Sequence, residues 1–179
     1  MKTALVILAD GFEEIEAVTP VDLLRRAGVG TTVASLGPDL LVTGKNQLRL
    51  KADALLDEAA GQPPDLLVLP GGPGVKHLRA DARVLRMARE QYDAGRLIGA
   101  ICAAPLVLLD AGILPGRRHT AHPSTAAEWP GDLSPERVVI DLPVITSRGA
   151  GTAVDFGLAL LEHLLGKEPA EAVKSAVCA

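Results

Sequence analysis

The chain has 179 residues, 48% hydrophobic but only 2% aromatic, with a formal net charge of -4 at pH 7 and a pI near 5.5. That length suits one domain over residues 1–179. Its core must be aliphatic, as two-faced parallel sheets prefer. The charge balance gives no electrostatic basis for nucleic-acid or membrane binding. Two cysteines, Cys102 and Cys178, form no disulfide framework, and a reducing cytoplasm is the economical reading. The opening run from Thr3 to Leu8 soon meets Asp10, which suits a first strand better than a signal peptide. The longest uncharged apolar stretch, Leu97 to Leu109, is broken by Gly99 and Pro105. It falls short of the roughly 20 residues a bilayer-spanning helix needs, so a soluble, cytoplasmic protein is expected.

Thr3 to Leu8 reads as a buried strand. Ile15, Val18, Val21 and Leu24 recur at helical spacing, predicting a helix from Glu14 to Ala27 that Gly28 stops and Pro20 kinks or restarts. Thr31 to Ser35 is a second strand. Residues 37 to 52 are less regular and predict a hairpin or excursion, within which Leu48 to Ala52 alternates like a strand with one solvated face. Asp53 to Ala60 predicts a short helix, and Pro63-Pro64 introduces the strand Leu66 to Leu69. Asp81 to Gln91 is an amphipathic helix closed by Gly95. Leu97 to Ile101 is the strand leading to Cys102, and a helix-like run follows from Leu106 to Ala111. Val138 to Ile140 and Val144 to Thr146 form a late strand pair turned at Leu142-Pro143. Gly151 to Leu165 is a helix stopped by Gly166, and Pro169 to Val177 is a terminal one. Strands separated by such helices imply βαβ units and a mostly parallel sheet covered by helices on both faces. Ligands then sit beyond the carboxyl ends of the strands.

Three segments fall at strand ends and carry chemistry. A free cysteine is usually a small buried hydrophobe. Cys102, however, sits at a strand-to-helix turn facing the positive end of a helix, a position that lowers a thiol pKa and favours the nucleophilic thiolate. Gly71-Gly72-Pro73-Gly74 satisfies an ordinary tight turn. Placed directly after a buried strand, it also aims N–H groups into the crevice, where they can hold an oxyanion. It matches neither a phosphate loop nor Gly-x-Gly-x-x-Gly, so no nucleotide cofactor is expected. In Asp10 to Glu16, helix capping accounts for one or two carboxylates, but Glu13, Glu14 and Glu16 exceed that need. Glu13 and Glu16 share one helical face, and a carboxyl against a thiol can donate, accept or anchor a proton.

Of the histidines, His77 and His163 read as surface or packing residues. His119 and His122 flank a loop-rich stretch, and His122, stiffened by Pro123, is the better imidazole partner for a cysteine. No Cys/His spacing suggests zinc, and no metal is predicted. Arg148 either binds an anionic substrate or pairs with Glu162 or another helix acid, while Thr152 or Ser147 caps the late helix; this segment reads as mainly architectural.

Together these residues resemble the DJ-one-like branch of the ThiJ/PfpI superfamily. The resemblance runs through Ala4 to Leu8, Gly11-Phe12-Glu13-Glu14-Ile15-Glu16, Pro20-Val21-Asp22, Arg25 to Gly28 and Val68-Leu69-Pro70-Gly71-Gly72. It continues through Ala100-Ile101-Cys102-Ala103-Ala104-Pro105, His122-Pro123 and Thr146-Ser147-Arg148-Gly149, and closes at Gly166-Lys167-Glu168. It implies an α/β, flavodoxin-like sandwich that forms a homodimer. Cys102 would be the nucleophile, Glu16 the buried protonated carboxyl bonded to its sulfur, His122 a general acid/base and Glu13 a supporting carboxylate. Backbone amides near Gly71, Gly72 and Ala103 would form an oxyanion site. The implied activity is cofactor-free conversion of 2-oxoaldehydes such as methylglyoxal to 2-hydroxy acids, with protein deglycase, chaperone and oxidative-stress-sensing roles also associated. Ala103 stands where peptidase-like members carry a histidine, which argues against an amidase or peptidase. Gly44-Lys45-Asn46-Gln47 lacks the arginine that some relatives place in that block.

Overall fold

In the computed structural model, which describes residues 1–179, side-chain alternation decides where the first strand lies. In β1 (Thr3–Leu8), Leu5 and Ile7 join one apolar cluster while Ala4, Val6 and Leu8 join the other. Both faces of a strand with period-two alternation are thus dry, and such a strand belongs at a sheet centre. The chain continues through α1 (Glu14–Arg26), β2 (Gly30–Ser35), β3 (Leu41–Thr43), β4 (Arg49–Lys51), β5 (Ala54–Leu55) and α2 (Leu56–Ala59). Next come β6 (Leu66–Leu69), α3 (Val75–Ala80), α4 (Ala82–Asp93), β7 (Leu97–Ile101) and α5 (Pro105–Asp110). A 3-10 turn at Pro123–Glu128 precedes β8 (Val138–Asp141) and β9 (Val144–Ser147), and a second at Ala150–Thr152 precedes α6 (Ala153–Leu165) and α7 (Lys167–Ala176).

Seven strands form one sheet in the order β5-β2-β1-β6-β7-β9-β8. Every neighbouring pair is parallel except β8 with β9. Helices α1, α6 and α7 cover one face through Leu24, Phe156, Leu160 and Val173. Helices α2 to α5 cover the other through Leu56, Leu78, Val84 and Leu108. This is the flavodoxin-like α/β sandwich that the sequence predicts. Register carries Val6 opposite Val68, Leu69 opposite Ala100 and Ile101 opposite Ser147. The loops after β1, β6, β7 and β9 therefore emerge together at one edge, and the segments at Asp10, Gly71-Gly72, Cys102 and Arg148 start there, while His122 reaches them from the connection between α5 and β8.

Several boundaries differ from expectation. Pro20 does not divide α1, which is continuous from Glu14 to Arg26. An interior proline loses its own N–H bond and crowds the carbonyl four residues before it, but the remaining ladder and the burial of Pro20, Leu23 and Leu24 sustain the helix. The helix expected from Asp53 is preceded by the edge strand β5, paired to β2 at Ala34 and Ser35, and shrinks to Leu56–Ala59. Residues 37 to 52 do form a hairpin, β3 with β4, with Leu41 opposite Lys51. A further short helix, α3, follows the Gly71-Gly72 turn.

The nucleophile strand is pressed closely by α6. A Cβ built on Gly99 would lie 2.7 Å from Leu160 Cδ2 and 2.9 Å from Phe156 Cζ. Both side chains are fully buried, so neither tip can swing away. Gly99→Ala is expected to lower stability by about 1–3 kcal/mol through overpacking, read as a reduced urea midpoint at unchanged m-value. An unchanged midpoint would show that the α6–β7 contact yields freely.

Candidate active site

Strand β7 ends at Ile101 and α5 begins at Pro105, so Cys102 to Ala104 form an elbow. Cys102 has φ 66°, a left-handed backbone conformation that a non-glycine residue adopts only when its surroundings enforce it. Two hydrogen bonds do so here. The Cys102 N–H donates to the Ser147 carbonyl at 2.9 Å, and the His122 N–H donates to the Cys102 carbonyl at 2.8 Å. The cysteine is thereby tied to the end of β9 and to the histidine loop, and the thiol is half-buried.

Helix α1 brings its first turn against this elbow. Glu13 caps the helix, its Oε2 accepting the Glu16 N–H at 2.9 Å. The Gly71 N–H donates to Glu16 Oε2 at 3.0 Å, and the Glu13 N–H donates to the Gly71 carbonyl at 3.0 Å. This reciprocal clasp requires glycine. A Cβ on Gly71 would lie 2.5 Å from both Cys102 Cβ and Glu16 Oε2, and Gly72 has φ 93° with Glu13 N 2.6 Å from where its Cβ would stand. The Glu16 carboxyl and the Gly72 and Ala103 backbone amides are the polar groups that act on the Cys102 thiol.

Burial raises the Glu16 pKa from 4.5 to about 7; the thiol hydrogen bond lowers it, Glu13 adds a raising charge, and the Gly71 amide and Lys45 lower it. The carboxyl is 1% exposed. Burial likewise pushes the Cys102 thiol up to about 12, with the Glu16 charge and hydrogen bond adding to it and the Gly72 and Ala103 amides opposing. The lowered thiol pKa expected from a helix end is therefore not what the site provides. Desolvation outweighs the amides, and α5 spans only Pro105–Asp110. The two groups share their titration. Once the pair has lost one proton, near 7, the other favours the sulfur, and the minor form with it on Glu16 is the reactive one, a thiolate acted on by the carboxyl and the Gly72 and Ala103 amides.

The other candidates separate. Gly71 is not a free oxyanion donor, because its N–H is committed to Glu16; Gly72 and Ala103 are the amides that face the sulfur. His122 is exposed. Its Nδ1 accepts the Ser124 N–H at 3.2 Å and lies 2.7 Å from Ser124 Oγ, so the neutral ring carries its hydrogen on Nε2. Its ring bonds to Ser124 rather than to the thiol, unlike a Cys–His peptidase pair. His119 instead stacks on Trp129 at 4.6 Å. Glu14 holds the hairpin, accepting from Asn46 N at 2.6 Å and Nδ2 at 3.0 Å, a role that only the folded hairpin reveals. Arg148 forms no ion pair with Glu162; its Nη1 donates to the Pro135 carbonyl at 3.1 Å. Thr152 occupies the N-cap of α6, but its hydroxyl turns back to the Gly149 carbonyl at 2.8 Å. Cys178 is an exposed free thiol.

A family model described as DJ-1/PfpI family matches residues 2–163. The chain belongs to the DJ-1/PfpI family. The Danio rerio Parkinson disease protein 7 homolog is 42% identical over 97% of this chain and 95% of its own length. A Caenorhabditis elegans protein named glutathione-independent glyoxalase DJR-1.2 is 34% identical over 99% of this chain and 96% of its own. The chain spans only 38% and 43% of two Arabidopsis thaliana relatives, DJ-1 homologs B and A. Among solved structures, oxidized DJ-1 from Toxoplasma gondii superposes with a TM-score of 0.95 at 35% identity, over 99% of this chain and 98% of that one. No helix is long and apolar enough to cross a membrane.

Two outcomes test the shared proton in this DJ-1/PfpI site. In a Cys178→Ser background, the rate of Cys102 alkylation by iodoacetamide should rise through a midpoint near 7, where the pair first ionises. Glu16→Gln should move that midpoint upward, and a midpoint of about 8.5, an ordinary thiol's, in both proteins would refute the coupling. Stability follows the same group. The unfolded chain releases the Glu16 proton near 4.5 and the folded chain near 7. Its stabilising contribution is thus complete below 4.5 and is lost as pH rises through 7. Urea unfolding of Glu16→Gln between pH 4.5 and 8 should lack that slope.

Proposed function

We propose that the protein is a cofactor-independent, cysteine-dependent enzyme acting on reactive 2-oxoaldehydes, of the glyoxalase or deglycase type, converting methylglyoxal to lactate. The observation that carries this reading is the buried Glu16 carboxyl bonded to Cys102, whose proton is retained to about 7. The thiolate attacks the aldehyde carbon, forming the C–S bond of a hemithioacetal. The Gly72 and Ala103 amides stabilise the oxyanion, which takes up a proton. A base then removes the hydrogen on that carbon, and the neighbouring carbonyl carbon receives a proton in return. Glu16 holds this position, with His122 on the solvent side and Glu13 supporting Glu16. The former aldehyde carbon is now a thioester, oxidised at the expense of its reduced neighbour, so no external redox cofactor takes part. Water cleaves the thioester, releasing the 2-hydroxy acid and restoring the thiol. The relative named a glutathione-independent glyoxalase supports this assignment.

A second reading uses the same sulfur as an oxidant sensor in a protective or chaperone-like role. A peroxide would oxidise the thiolate to a sulfenate with loss of water, and a second peroxide would give a sulfinate, bonded by protonated Glu16 and the two amides. The oxidized Toxoplasma gondii structure favours considering it. The protein is further proposed to be a cytoplasmic homodimer. Ile15 and Val18 lie three apart on α1 at 54% and 47% exposed, beside the hairpin whose Leu48 is 63% exposed, and an apolar surface of this kind suits a self-association face.

Lactate formation from methylglyoxal should be abolished in Cys102→Ser and reduced roughly 100-fold or more in Glu16→Gln, the scale of a lost general acid/base. Equal turnover by wild type and Cys102→Ser would overturn the enzyme reading. In that case, addition of two oxygens to Cys102 by mild peroxide, seen by intact mass, would leave the sensor standing.

A further inference from the structure

A cavity of about 420 Å³ opens beside the reactive pair, lined by His122, Arg137, Arg148, Gly149 and the 3-10 turn that follows. Gly149 is the shared wall. A Cβ there would lie 3.2 Å from the His122 ring and 3.7 Å from Glu16 Oε1, so the cavity ends where the carboxyl of the site begins. Its volume far exceeds what a three-carbon aldehyde needs. It is cationic, and its two arginines differ. Arg137 is fully engaged, by Asp155 at 2.6 Å and by the Gly151 carbonyl at 2.8 Å. Arg148 is half-buried, bonds only the Pro135 carbonyl through Nη1, and meets no carboxylate. Its Nε and Nη2 make no hydrogen bond within the protein. Arg148 also lines the adjoining cavity of about 400 Å³, where Asp132 is the one acid and does not pair with it. A guanidinium with unused donors offers two-point binding to a carboxylate or phosphate.

We propose that this cavity is an anion subsite of the Cys102 centre, anchored by Arg148, and that it selects 2-oxoaldehydes bearing a carboxylate or phosphate a few atoms from the carbonyl. The substrate-class part rests on the enzyme reading above; the subsite itself does not. The anion would sit on Arg148 while the aldehyde carbon reaches the sulfur past Gly149, with His122 between them. Lys45 acts on Glu16 through its charge and is common to every variant compared below. Arg148 touches only the anion.

Two measurements on the whole protein test this. The first compares kcat/KM for methylglyoxal, which is neutral, with that for 4,5-dioxopentanoate, a 2-oxoaldehyde with a terminal carboxylate. Arg148→Met should lose roughly 10- to 100-fold on the carboxylate substrate, the scale of one charge-assisted hydrogen bond, and less than about twofold on methylglyoxal. Arg148→Lys should recover part of the loss. The second needs no turnover. In a Cys178→Ser background, the ratio of Cys102 alkylation rates for iodoacetate over iodoacetamide should fall several-fold in Arg148→Met. Equal losses on both aldehydes, or an unchanged alkylation ratio, would overturn the subsite. A lowered ratio in a protein that turns over neither aldehyde would retain the subsite and sink the enzyme reading instead.

Discussion

Everything at the strand ends depends on one buried carboxyl. Glu16 reaches from the first turn of α1, accepts the Gly71 N–H at 3.0 Å and bonds the Cys102 sulfur. Neither contact alone holds a carboxyl in a dry site, because an isolated buried charge carries a large desolvation penalty. Burial instead keeps a proton on the carboxyl to about 7, and the protonated group has an O–H to give to the thiolate. The same contact therefore fixes the position of α1, closes the Gly71 turn and sets the charge on the sulfur.

The backbone supports that contact with strain held in place by the sheet. A cysteine at φ 66° is stable here because β9 takes its N–H and the histidine loop takes its carbonyl. Such strain is of order 1–3 kcal/mol and persists only where surroundings over-determine it. The parallel register of β6, β7 and β9 supplies that determination by delivering three loops to one edge. Parallel order thus does more here than bury apolar strands; it brings the Cys102 elbow and the Gly71-Gly72 turn together, where the Glu16 carboxyl meets both.

Much of this was legible in the sequence, and the exceptions have physical causes. The aliphatic runs place the strands, and the elbow cysteine, the double glycine and the acidic helix start mark the edge where they meet. The sequence sets Glu13 and Glu16 apart on one helical face and leaves Glu14 without a role; it is a clasp to Asn46, because the hairpin that brings Asn46 near is a tertiary feature without local periodicity. The direction of the Cys102 shift was misread for a similar reason. A helix-end argument is local, whereas desolvation depends on what the whole fold packs around the sulfur. Gly71 was grouped with Gly72 as an amide donor, although only the folded geometry shows that Glu16 already holds its N–H.

The same dependence bears on how one site can support two chemistries. Turnover needs a proton that moves between Glu16 and the substrate, whereas a lasting sulfinate needs a proton that stays on Glu16 to bond it. Both require the carboxyl to be protonated while the sulfur carries the charge, which is the minor form of the singly ionised pair, since burial holds the thiol at about 12 and the carboxyl at about 7. What separates them is access. Under the proposed subsite, a cavity that offers Arg148 to an anion beside Gly149 would raise the local concentration of anionic substrates at the thiolate. Hydrogen peroxide is neutral and gains nothing from it, so such a subsite would favour turnover over sensing.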